Sequence, residues 1–283
     1  MALINGNTEL IAHIGFPTRT FKSPMIYNPW FAAKGINAVV VPMGSQPDHF
    51  PTLFQALRGL TNLRGALITM PHKVSVMDLV DELTPTARVA GACNAVLRRP
   101  DGRFLGDQFD GAGFVRGILR KGFVPQGRRA LITGTGGVGS AIAASLAATG
   151  LAELALHDLR AVPTEALAAR LREHHPALRV TVGSNDPAGF DLIVNATPLG
   201  MNEGDPLPFD MSRVAPGTWA GEVVMHQDIT PFLAAALARG CTVQQGKDML
   251  FEMIPAYLEF FGYGSATPEE LRAVARFEAE TEA

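Results

Sequence analysis

The sequence predicts an α/β protein of two domains, an N-terminal α/β domain followed by a doubly wound nucleotide-binding domain. Three observations lead to this fold class. Short apolar runs of β type alternate with helical periods along almost the whole chain, which is typical of mostly parallel sheets covered by helices. The segment 122–128, "GFVPQGR", interrupts the alternation. A glycine-rich turn then follows the first strand after that break.

The series before the break builds the first domain. Pro24 suits the first position of a helix and Gly35 its end, and the Asp101-Gly102 pair suits the turn of a hairpin. We predict strands over 10–16, 37–43 and 66–70, helices over 23–34, 51–60, 73–83 and 111–121, and a hairpin over 94–107.

The series after the break shows the same alternation and builds the second domain. We predict strands over 129–133, 153–158, 178–182, 191–195, 218–224 and 241–245, and helices over 137–149, 163–174, 230–239, 248–261 and 268–280. Strand–helix alternation of this kind requires a mostly parallel sheet, because parallel neighbours need crossover connections.

The composition narrows the class of function. Of the 283 residues, 47% are hydrophobic, and the net charge of −3 gives no reason to expect nucleic acid or a membrane surface as a partner. Cys93 and Cys241 lie far apart and fit no metal spacing, so we interpret both as buried thiols in a reducing compartment. With no signal peptide recognisable, we expect a cytoplasmic protein without a metal site.

The glycine-rich turn has the spacing of a Rossmann-type dinucleotide site. Gly134, Gly136 and Gly139 form G-x-G-x-x-G directly after a strand and at the start of a helix. The first glycine permits a tight turn, the second lets a pyrophosphate approach the backbone, and the third allows close helix–strand packing. The predicted cofactor contacts are these glycines with Gly137 and Val138, and the alternative is a merely tight βα turn.

An acidic residue follows at the end of the next strand. Asp158 stands 24 positions after Gly134 (158 − 134), close to the usual offset of roughly 20. A carboxylate there accepts hydrogen bonds from both ribose hydroxyls and repels a 2′-phosphate, so the sequence predicts NAD in preference to NADP. Arg160 could instead contact a phosphate, and an ordinary loop acid is the alternative interpretation of Asp158.

A lysine stands at an unusual place in the first series. Pro71 ends an apolar strand at its carboxyl edge, where α/β folds bind ligands, and Lys73 opens the predicted helix over 73–83. Because a helix dipole and partial burial both disfavour a positive charge, a lysine placed there can exchange a proton near neutral pH. Asp110 precedes the helix that leads to the second domain. The alternatives are a solvated surface lysine and a plain helix-capping acid.

These residues belong to a wider set of motifs, through which the sequence resembles the shikimate/quinate dehydrogenase family over almost its whole length. Order and spacing agree for "KSP" (22–24), "TMPHK" (69–73), "DELT" (81–84), "GACNAV" (91–96), "GDQFDG" (106–111), "GTGGVGSA" (134–141), "VNATPLGM" (194–201) and "TPFL" (230–233). The resemblance implies reversible oxidation of a ring secondary alcohol. It also implies a substrate domain over 1–111, completed by 247–283, and a dinucleotide domain over 112–246.

The resemblance further implies roles for individual residues. Lys73 and Asp110 form the catalytic pair, and Thr69 and Asn94 hydrogen-bond substrate hydroxyls. Ser23 matches the second serine of a pair that binds a carboxylate. The loop Thr197–Met201 follows a strand of the second domain and is expected to lie over the cofactor, with a turn shaped by proline as the alternative. The positions assigned to the cofactor site beyond the glycine turn are Thr197, Pro198, Leu199, Val223, Gly246 and Met249.

Several substrate-binding positions depart from the family pattern. Phe21 stands where the first serine is usual, and Gln108-Phe109 replaces an asparagine-threonine pair. Met225 and Met253 stand in place of a tyrosine and a glutamine. The reacting end of the site is therefore retained, whereas the carboxylate-binding end is not. We expect poor turnover of shikimate and quinate and a better substrate that is less acidic or differently substituted.

The sequence thus predicts an NAD-dependent dehydrogenase of a cyclic polyhydroxylated acid or of a less polar relative. Lys73 takes the hydroxyl proton, and Asp110 orients the substrate and the lysine. The expected partner is this small molecule, with no nucleic acid and no membrane, and a homodimer is left open. One alternative is a folate-type dehydrogenase on the same two-domain plan. Another is a non-catalytic dinucleotide sensor or partner-binding relative, and a sensor would need neither Lys73 nor Asp110.

Overall fold

The computed structural model describes residues 4–225 and 227–277, which separate into two compact units. The first unit takes the chain up to Ala87, Ala92–Gln108 and the chain from Ile254 onward. The second unit takes Arg88–Gly91 and Phe109–Met253. Each unit contains one six-stranded sheet, which confirms the predicted two-domain α/β class. The assignment of substrate and cofactor to separate domains stays a prediction.

Helices occur in both units. In chain order they are α1 (Pro24–Lys34), α2 (Phe50–Leu57), α3 (Pro85–Ala90), α4 (Asp110–Arg120), α5 (Gly137–Ala147), α6 (Ala161–His174), α7 (Pro231–Ala238), α8 (Gly246–Phe261) and α9 (Pro268–Val274).

The sheet of the first unit is mixed. Its strands are β1 (Glu9–Gly15), β2 (Ala38–Gly44), β3 (Leu63–Ile68), β4 (Glu82–Leu83), β5 (Ala95–Arg98) and β6 (Phe104–Asp107). They lie in the order β2-β1-β3-β5-β6-β4. Strand β1 is parallel to β2 and β3, whereas β5 is antiparallel to both of its neighbours as the predicted hairpin requires.

Strand β2 forms one edge of this sheet, and Asn28 of α1 covers part of that edge. The side-chain amide of Asn28 donates to the carbonyl oxygen of Val40 at 3.0 Å, and its side-chain oxygen accepts from the Val40 N–H at 2.8 Å. Pro42, two residues further on, has no N–H to offer. The backbone groups of Val40 are therefore satisfied from within the unit.

The sheet of the second unit is entirely parallel. Its strands are β7 (Arg129–Thr133), β8 (Glu153–His157), β9 (Arg179–Val182), β10 (Leu192–Asn195), β11 (Trp219–Glu222) and β12 (Thr242–Gln244). They lie in the order β12-β11-β10-β7-β8-β9, with every neighbouring pair parallel. The strand order reverses between β7 and β10, where sheets of this doubly wound type bind ligands beyond the carboxyl ends of their strands.

Both faces of the second sheet are buried. Along β7, Ala130 and Ile132 belong to one apolar cluster and Leu131 belongs to the other, as expected for a strand covered on both sides. Helices α4 and α5 pack closely on one another at Gly111. A Cβ atom at this position would lie only 2.0 Å from the carbonyl oxygen of Ala141, so the close approach requires glycine. The apolar runs and small residues of the sequence thus produce a tightly packed nucleotide-type unit.

Most elements lie close to their predicted bounds, but the helix predicted over 73–83 is wrong. Only a short 3-10 turn, Ser75–Asp78, forms there. The residues after it join the first sheet, where the Asp81 N–H donates to the carbonyl of Phe104 at 2.9 Å and β4 pairs with β6. Pairing with a strand that lies later in the chain therefore overrides the helical period.

Two further differences concern short or terminal segments. Helix α3 was not predicted, and it begins after Thr84, whose hydroxyl accepts from the Ala87 N–H at 3.3 Å. The helix predicted over 268–280 ends at Val274, and its predicted end falls outside the described residues. Within 4–225 and 227–277, no helix combines the length and hydropathy needed to cross a bilayer.

Candidate functional site

The glycine turn between β7 and α5 is shaped by close backbone contacts. Gly134 has a φ of +94°, and a Cβ atom there would lie 2.6 Å from the carbonyl carbon of Ala196. A Cβ atom at Gly139 would lie 1.9 Å from the carbonyl oxygen of Gly134. The turn itself and its contact with the loop after β10 therefore require these two glycines.

Gly136 is not crowded by the protein in this way. A Cβ atom there would meet only Nη2 of Arg160 within 4 Å, at 3.7 Å. Gly136 is the residue just before α5. Because it has no side chain, it cannot cap the N–H groups in the first turn of that helix. Gly137 is exposed beside it and Val138 is half-buried. Open space beside the backbone and N–H groups at a helix start fit the pyrophosphate of a dinucleotide.

Asp158 lies directly after β8, and its carboxylate joins the glycine turn. Oδ2 accepts hydrogen bonds from the Thr135 N–H at 2.7 Å and from the Thr135 hydroxyl at 3.2 Å. Oδ1 accepts from the backbone N–H of Arg160 at 2.9 Å. Partial burial raises the pKa of Asp158, but the hydrogen bonds from Arg160 and Thr135 together lower it further, so this pKa lies well below its usual range. A charged acceptor thus stands beside the turn.

The guanidinium of Arg160 lies between this carboxylate and the glycine turn. Its Nη2 is 3.3 Å from Oδ2 of Asp158 and is also the atom nearest to the space beside Gly136. The Arg160 side chain is 62% exposed and the Asp158 side chain 11%, so the cation of this ion pair is solvated while the carboxylate is largely covered. The site therefore holds an acceptor suited to ribose hydroxyls and a cation on a long, exposed side chain suited to a phosphate.

A buried network supports the loop after β10. Asn195 donates through Nδ2 to the Leu199 carbonyl at 2.9 Å and accepts through Oδ1 from the Thr197 hydroxyl at 2.6 Å. Glu222, fully buried, accepts from Asn195 Nδ2 at 3.0 Å and from the hydroxyl of Thr230. Burial raises the pKa of Glu222 above its ordinary value. The network fixes the loop that the sequence assigns to the cofactor.

The remaining predicted cofactor residues lie in the same unit. Pro198 is exposed and Val223 is half-buried. A Cβ atom at Gly246 would lie 2.2 Å from the carbonyl oxygen of Val224, so close packing accounts for this glycine. Met249 is buried in the apolar core.

In the first unit, Lys73 lies in the turn after β3 and not at the start of a helix. Its carbonyl accepts a hydrogen bond from the Cys93 N–H at 2.7 Å, and its side chain is half-buried. The helix dipole expected from the sequence therefore does not act on this lysine. The positive charge of Lys73 contributes to lowering the pKa of His13, so the two side chains are close enough to interact.

Thr69 and Phe21 meet above Gly15. A Cβ atom at Gly15 would lie 2.4 Å from Thr69 Cγ2 and 3.0 Å from Phe21 Cζ. The ring of Phe21 is buried and stacks on His13, with the ring centroids 4.1 Å apart. Ser23 is half-buried and precedes α1 without capping it through its side chain. The structure thus brings two predicted substrate-binding residues together and adds a histidine to them.

Asn94 lies at the start of the hairpin, next to β3. Its carbonyl accepts from the Ile68 N–H at 2.8 Å and from the Tyr257 hydroxyl at 3.4 Å. Neither Tyr257 nor His13 was predicted from the sequence. His13 is a polar residue in an apolar stretch, "LIAHIG", which is the signal that could have found it, whereas no sequence spacing links Tyr257 to Asn94. In the part of the chain that the structure describes, no cluster of His, Cys, Asp and Glu could hold a metal ion.

Four of the residues predicted for catalysis or substrate binding belong to the second unit. Asp110 is buried and is the first residue of α4, where the helix dipole favours a carboxylate. Phe109, just before it, and Met225 are half-buried. Met253 packs on α4 beside Gly113. A Cβ atom at Gly113 would lie 2.7 Å from the Cβ atom of Met253.

The sequence of this chain is similar to known shikimate dehydrogenases. The family model of the shikimate dehydrogenase substrate binding domain matches residues 13–96. The chain is 40% identical over 253 residues to shikimate dehydrogenase (NADP(+)) from Rubrobacter xylanophilus, a match that covers 87% of this chain and 88% of that protein.

Two solved structures have the same fold over nearly their whole length. Shikimate 5-dehydrogenase from Listeria monocytogenes in complex with shikimate and NAD superposes with a TM-score of 0.90 at 25% identity, covering 96% of this chain and 97% of that one. A ligand-free 5-ketofructose reductase of Gluconobacter superposes with a TM-score of 0.86 at 25% identity, covering 96% and 99%.

The parallel sheet, the glycine turn and the adjoining carboxylate define a Rossmann-type dinucleotide-binding protein that carries a second α/β unit. The chain belongs to the shikimate dehydrogenase family of oxidoreductases.

Proposed function

We propose that this chain is an NAD-preferring dehydrogenase that reversibly oxidises a ring secondary alcohol of a polyhydroxylated cyclic substrate. The substrate class comprises shikimate, quinate and, with better turnover, a less acidic relative. The proposal depends chiefly on the charged Asp158 carboxylate beside the glycine turn of a shikimate dehydrogenase family member. A family assignment alone would leave the cofactor and the substrate open.

The preference for NAD follows from charge. The ribose hydroxyls of NAD can donate to the Asp158 carboxylate, whereas the 2′-phosphate of NADP would meet its negative charge. Arg160 has to leave Asp158 for the ribose to bind, and the exposure of its side chain supports such an exchange. The Rubrobacter relative is named for NADP(+) and the Listeria structure contains NAD, so both cofactors occur among the proteins that this chain resembles.

The proposed chemistry is a proton transfer coupled to oxidation of the carbinol carbon. The nicotinamide supplies the two-electron acceptor when it is bound. Lys73 takes the proton of the hydroxyl group and returns it in the reverse direction. Asp110 orients the substrate and the lysine, so that the carbinol is held in a reactive geometry. These two roles are supported by the match of "TMPHK" and "GDQFDG" to the family motifs.

The preference for a less acidic substrate is supported by Phe21. Its buried ring stands above Gly15 next to Thr69, where it offers a carboxylate neither a hydrogen bond nor a positive charge. The Gluconobacter protein is named for 5-ketofructose, a polyhydroxylated ketone without a carboxylate. That name supports an uncharged substrate class for this fold.

Steady-state assays test the proposal directly. Shikimate, quinate and a panel of uncharged cyclic polyols are each assayed with NAD and with NADP. We expect reduced nicotinamide to form with at least one ring alcohol, and faster with NAD. Turnover with NADP alone would overturn the cofactor assignment. Binding of NAD without turnover of any ring alcohol, or of any ring ketone in reverse, would support the alternative of a non-catalytic dinucleotide sensor.

A further inference from the structure

His13 is a buried polar residue in the centre of the first sheet. It lies in β1, in register with Pro42 of β2 and Leu67 of β3. The residue is 6% exposed, and its Nδ1 has no hydrogen-bond partner among residues 4–225 and 227–277. Its ring stacks on Phe21 with an interplanar angle of 25°. The described protein therefore leaves part of this imidazole unsatisfied.

A second histidine of the same unit shows the arrangement expected for a purely structural role. His72 is also buried and also stacks on a phenylalanine, Phe50, with the ring centroids 4.0 Å apart. Its Nε2, however, lies 2.8 Å from the carbonyl oxygen of Ser45. The two histidines share the aromatic contact and the burial, and they differ in whether the buried nitrogen is bonded to the protein.

An unsatisfied buried nitrogen lowers the stability of the fold, because burial removes its hydrogen bonds to water. A leucine or valine at position 13 would fill the strand without that loss, since Ile11, on the same face of β1, is apolar and fully buried. Residues that break a local rule without a structural gain are expected at functional sites. A group from outside the chain accounts for His13 better than the fold does.

The neighbours of His13 are residues already assigned to substrate. Phe21, which stacks on it, and Thr69 both reach the space above Gly15, two residues further along β1. Burial, and to a smaller extent the charge of Lys73, lower the pKa of His13 to about 4. The imidazole is therefore neutral at physiological pH and lies among the groups of the expected substrate site.

We propose that His13 contacts the substrate and, together with Phe21, selects an uncharged ring substituent, a hydroxyl or a carbonyl, over a carboxylate. This inference rests on the proposed function and specifies its substrate class. A neutral imidazole has one donor and one acceptor, which suits a hydroxyl or a carbonyl group. The neutral imidazole and the Phe21 ring stacked on it carry no positive charge. Neither of them can therefore offset the desolvation of a carboxylate.

Shikimate and its methyl ester test this inference, because esterification removes the charge and leaves the ring hydroxyls unchanged. In the unmodified protein we expect kcat/KM for the ester to exceed that for the acid by about tenfold or more. His13→Leu should lower this ratio by about tenfold or more, mainly through a higher KM for the ester. His13→Asn keeps a donor and an acceptor and should restore part of the ratio.

Trp30→Phe provides a matched control in the same unit. Trp30 is 2% exposed, and its Nε1 likewise has no partner in the described part of the chain. We expect this variant to keep the ester-to-acid ratio of the unmodified protein, because it removes a buried nitrogen that no substrate group is proposed to contact. His13→Leu should keep or raise Tm, so that its effect on the ratio is not one of unfolding.

Two results overturn the inference, namely an ester-to-acid ratio that His13→Leu leaves unchanged, or a preference for the acid in the unmodified protein. If neither compound is oxidised with NAD or NADP, the proposed function fails, and calorimetric titration with the ester decides the inference by itself. Ester binding that is lost in His13→Leu supports a contact with His13. Equal binding by both proteins, or binding by neither, overturns it.

Discussion

The guanidinium of Arg160 lies against the carboxylate of Asp158, with Nε 3.2 Å from Oδ1 and Nη2 3.3 Å from Oδ2. Because Thr135 donates to the same carboxylate through its N–H and its hydroxyl, both carboxylate oxygens are already engaged. A ribose hydroxyl that binds to Asp158 must therefore replace Arg160. Because the Arg160 side chain is 62% exposed, water can solvate its guanidinium after the exchange, and the ribose hydroxyls replace its hydrogen bonds to the carboxylate.

The first prediction concerns the choice of cofactor. We expect kcat/KM with NAD to exceed kcat/KM with NADP by more than about tenfold, on the order of 1.4 kcal/mol or more. Asp158→Asn should reduce this preference, because the amide no longer repels a 2′-phosphate. Steady-state kinetics with both cofactors measure the ratio. Equal use of the two, or a preference for NADP, would show that Arg160 governs this part of the site.

A second prediction separates the arginine from the carboxylate. Arg160→Ala should lower KM for NAD, because the ribose no longer competes with the guanidinium for Asp158. The same variant should use NADP less well, since it lacks the nearby cation. Arg213→Ala is a suitable control, because Arg213 forms an arginine–aspartate ion pair with Asp186 at 2.7 Å in the same unit. An unchanged KM for NAD in Arg160→Ala would mean that Asp158 does not contact the ribose.

The third prediction concerns catalysis. Lys73→Ala and Asp110→Asn should each lower kcat by roughly 10² to 10⁴, the range for a positioned acid–base group. The Kd for NAD should hardly change, which fluorescence titration can measure. Lys34→Ala, which removes an exposed lysine paired with Glu270 at 3.1 Å, should keep normal turnover. Near-normal kcat in Lys73→Ala would mean that the lysine is not the base.

The fourth prediction concerns the carboxylate end of the substrate. A hydrogen bond to a charged group contributes about 1.5–3 kcal/mol, so Phe21→Ser should lower KM for shikimate by roughly 10- to 150-fold. The unmodified protein should turn over shikimate and quinate poorly, with KM in the millimolar range. Phe21→Leu removes the ring without adding a hydroxyl and should not reproduce the gain. A micromolar KM in the unmodified protein would show that another group binds the carboxylate.

The fifth prediction concerns the pH dependence of stability. The pKa of His13 is lowered to about 4 in the folded chain, so the unfolded chain binds a proton more readily below its own value of about 6.5. The contribution of neutral His13 to the free energy of unfolding is therefore fully present above about pH 6.5. This contribution is lost as the pH falls toward 4. Through this group alone, unfolding should become about 2 kcal/mol easier between about pH 7 and pH 5.

Urea denaturation of the unmodified protein and of His13→Leu at both pH values isolates that contribution. The difference in unfolding free energy between the two proteins should change by this amount, because the other titrating groups are common to both. A difference that does not depend on pH would mean that His13 is protonated as easily in the folded chain as in the unfolded one.

The second unit was more predictable from sequence than the first, because its determinants are local. The spacing of Gly134 and Gly139 encodes the turn, and β7 is found at its predicted bounds, Arg129–Thr133. The helix predicted over 73–83 failed for the opposite reason. The hydrophobic period of residues 73–83 is compatible with a helix as well as with the observed structure. Only the pairing of β4 with β6, a strand later in the chain, excludes the helix.

The site residues divide in the same way. The sequence predicts a role for Asp158 from its distance to the glycine turn and for Lys73 from the motif around it, and both roles stay predictions. Tyr257 and Glu222 could not be recognised in this way, because their hydrogen-bond partners belong to other segments that only the fold brings near them. The hydroxyl of Tyr257 meets the carbonyl of Asn94 across 163 positions, a separation for which no sequence spacing provides a signal.

The bond pair between Asn28 and Val40 bears on how two copies of this chain could meet. A neighbouring molecule that added a strand beside β2 would need the N–H and carbonyl groups of Val40, which the Asn28 amide already occupies. It would also face Pro42, which has no hydrogen to donate. Growth of an intermolecular sheet from the β2 edge is therefore blocked at the centre of this strand, so a second copy that docks on this edge has to use side-chain contacts instead of backbone hydrogen bonds.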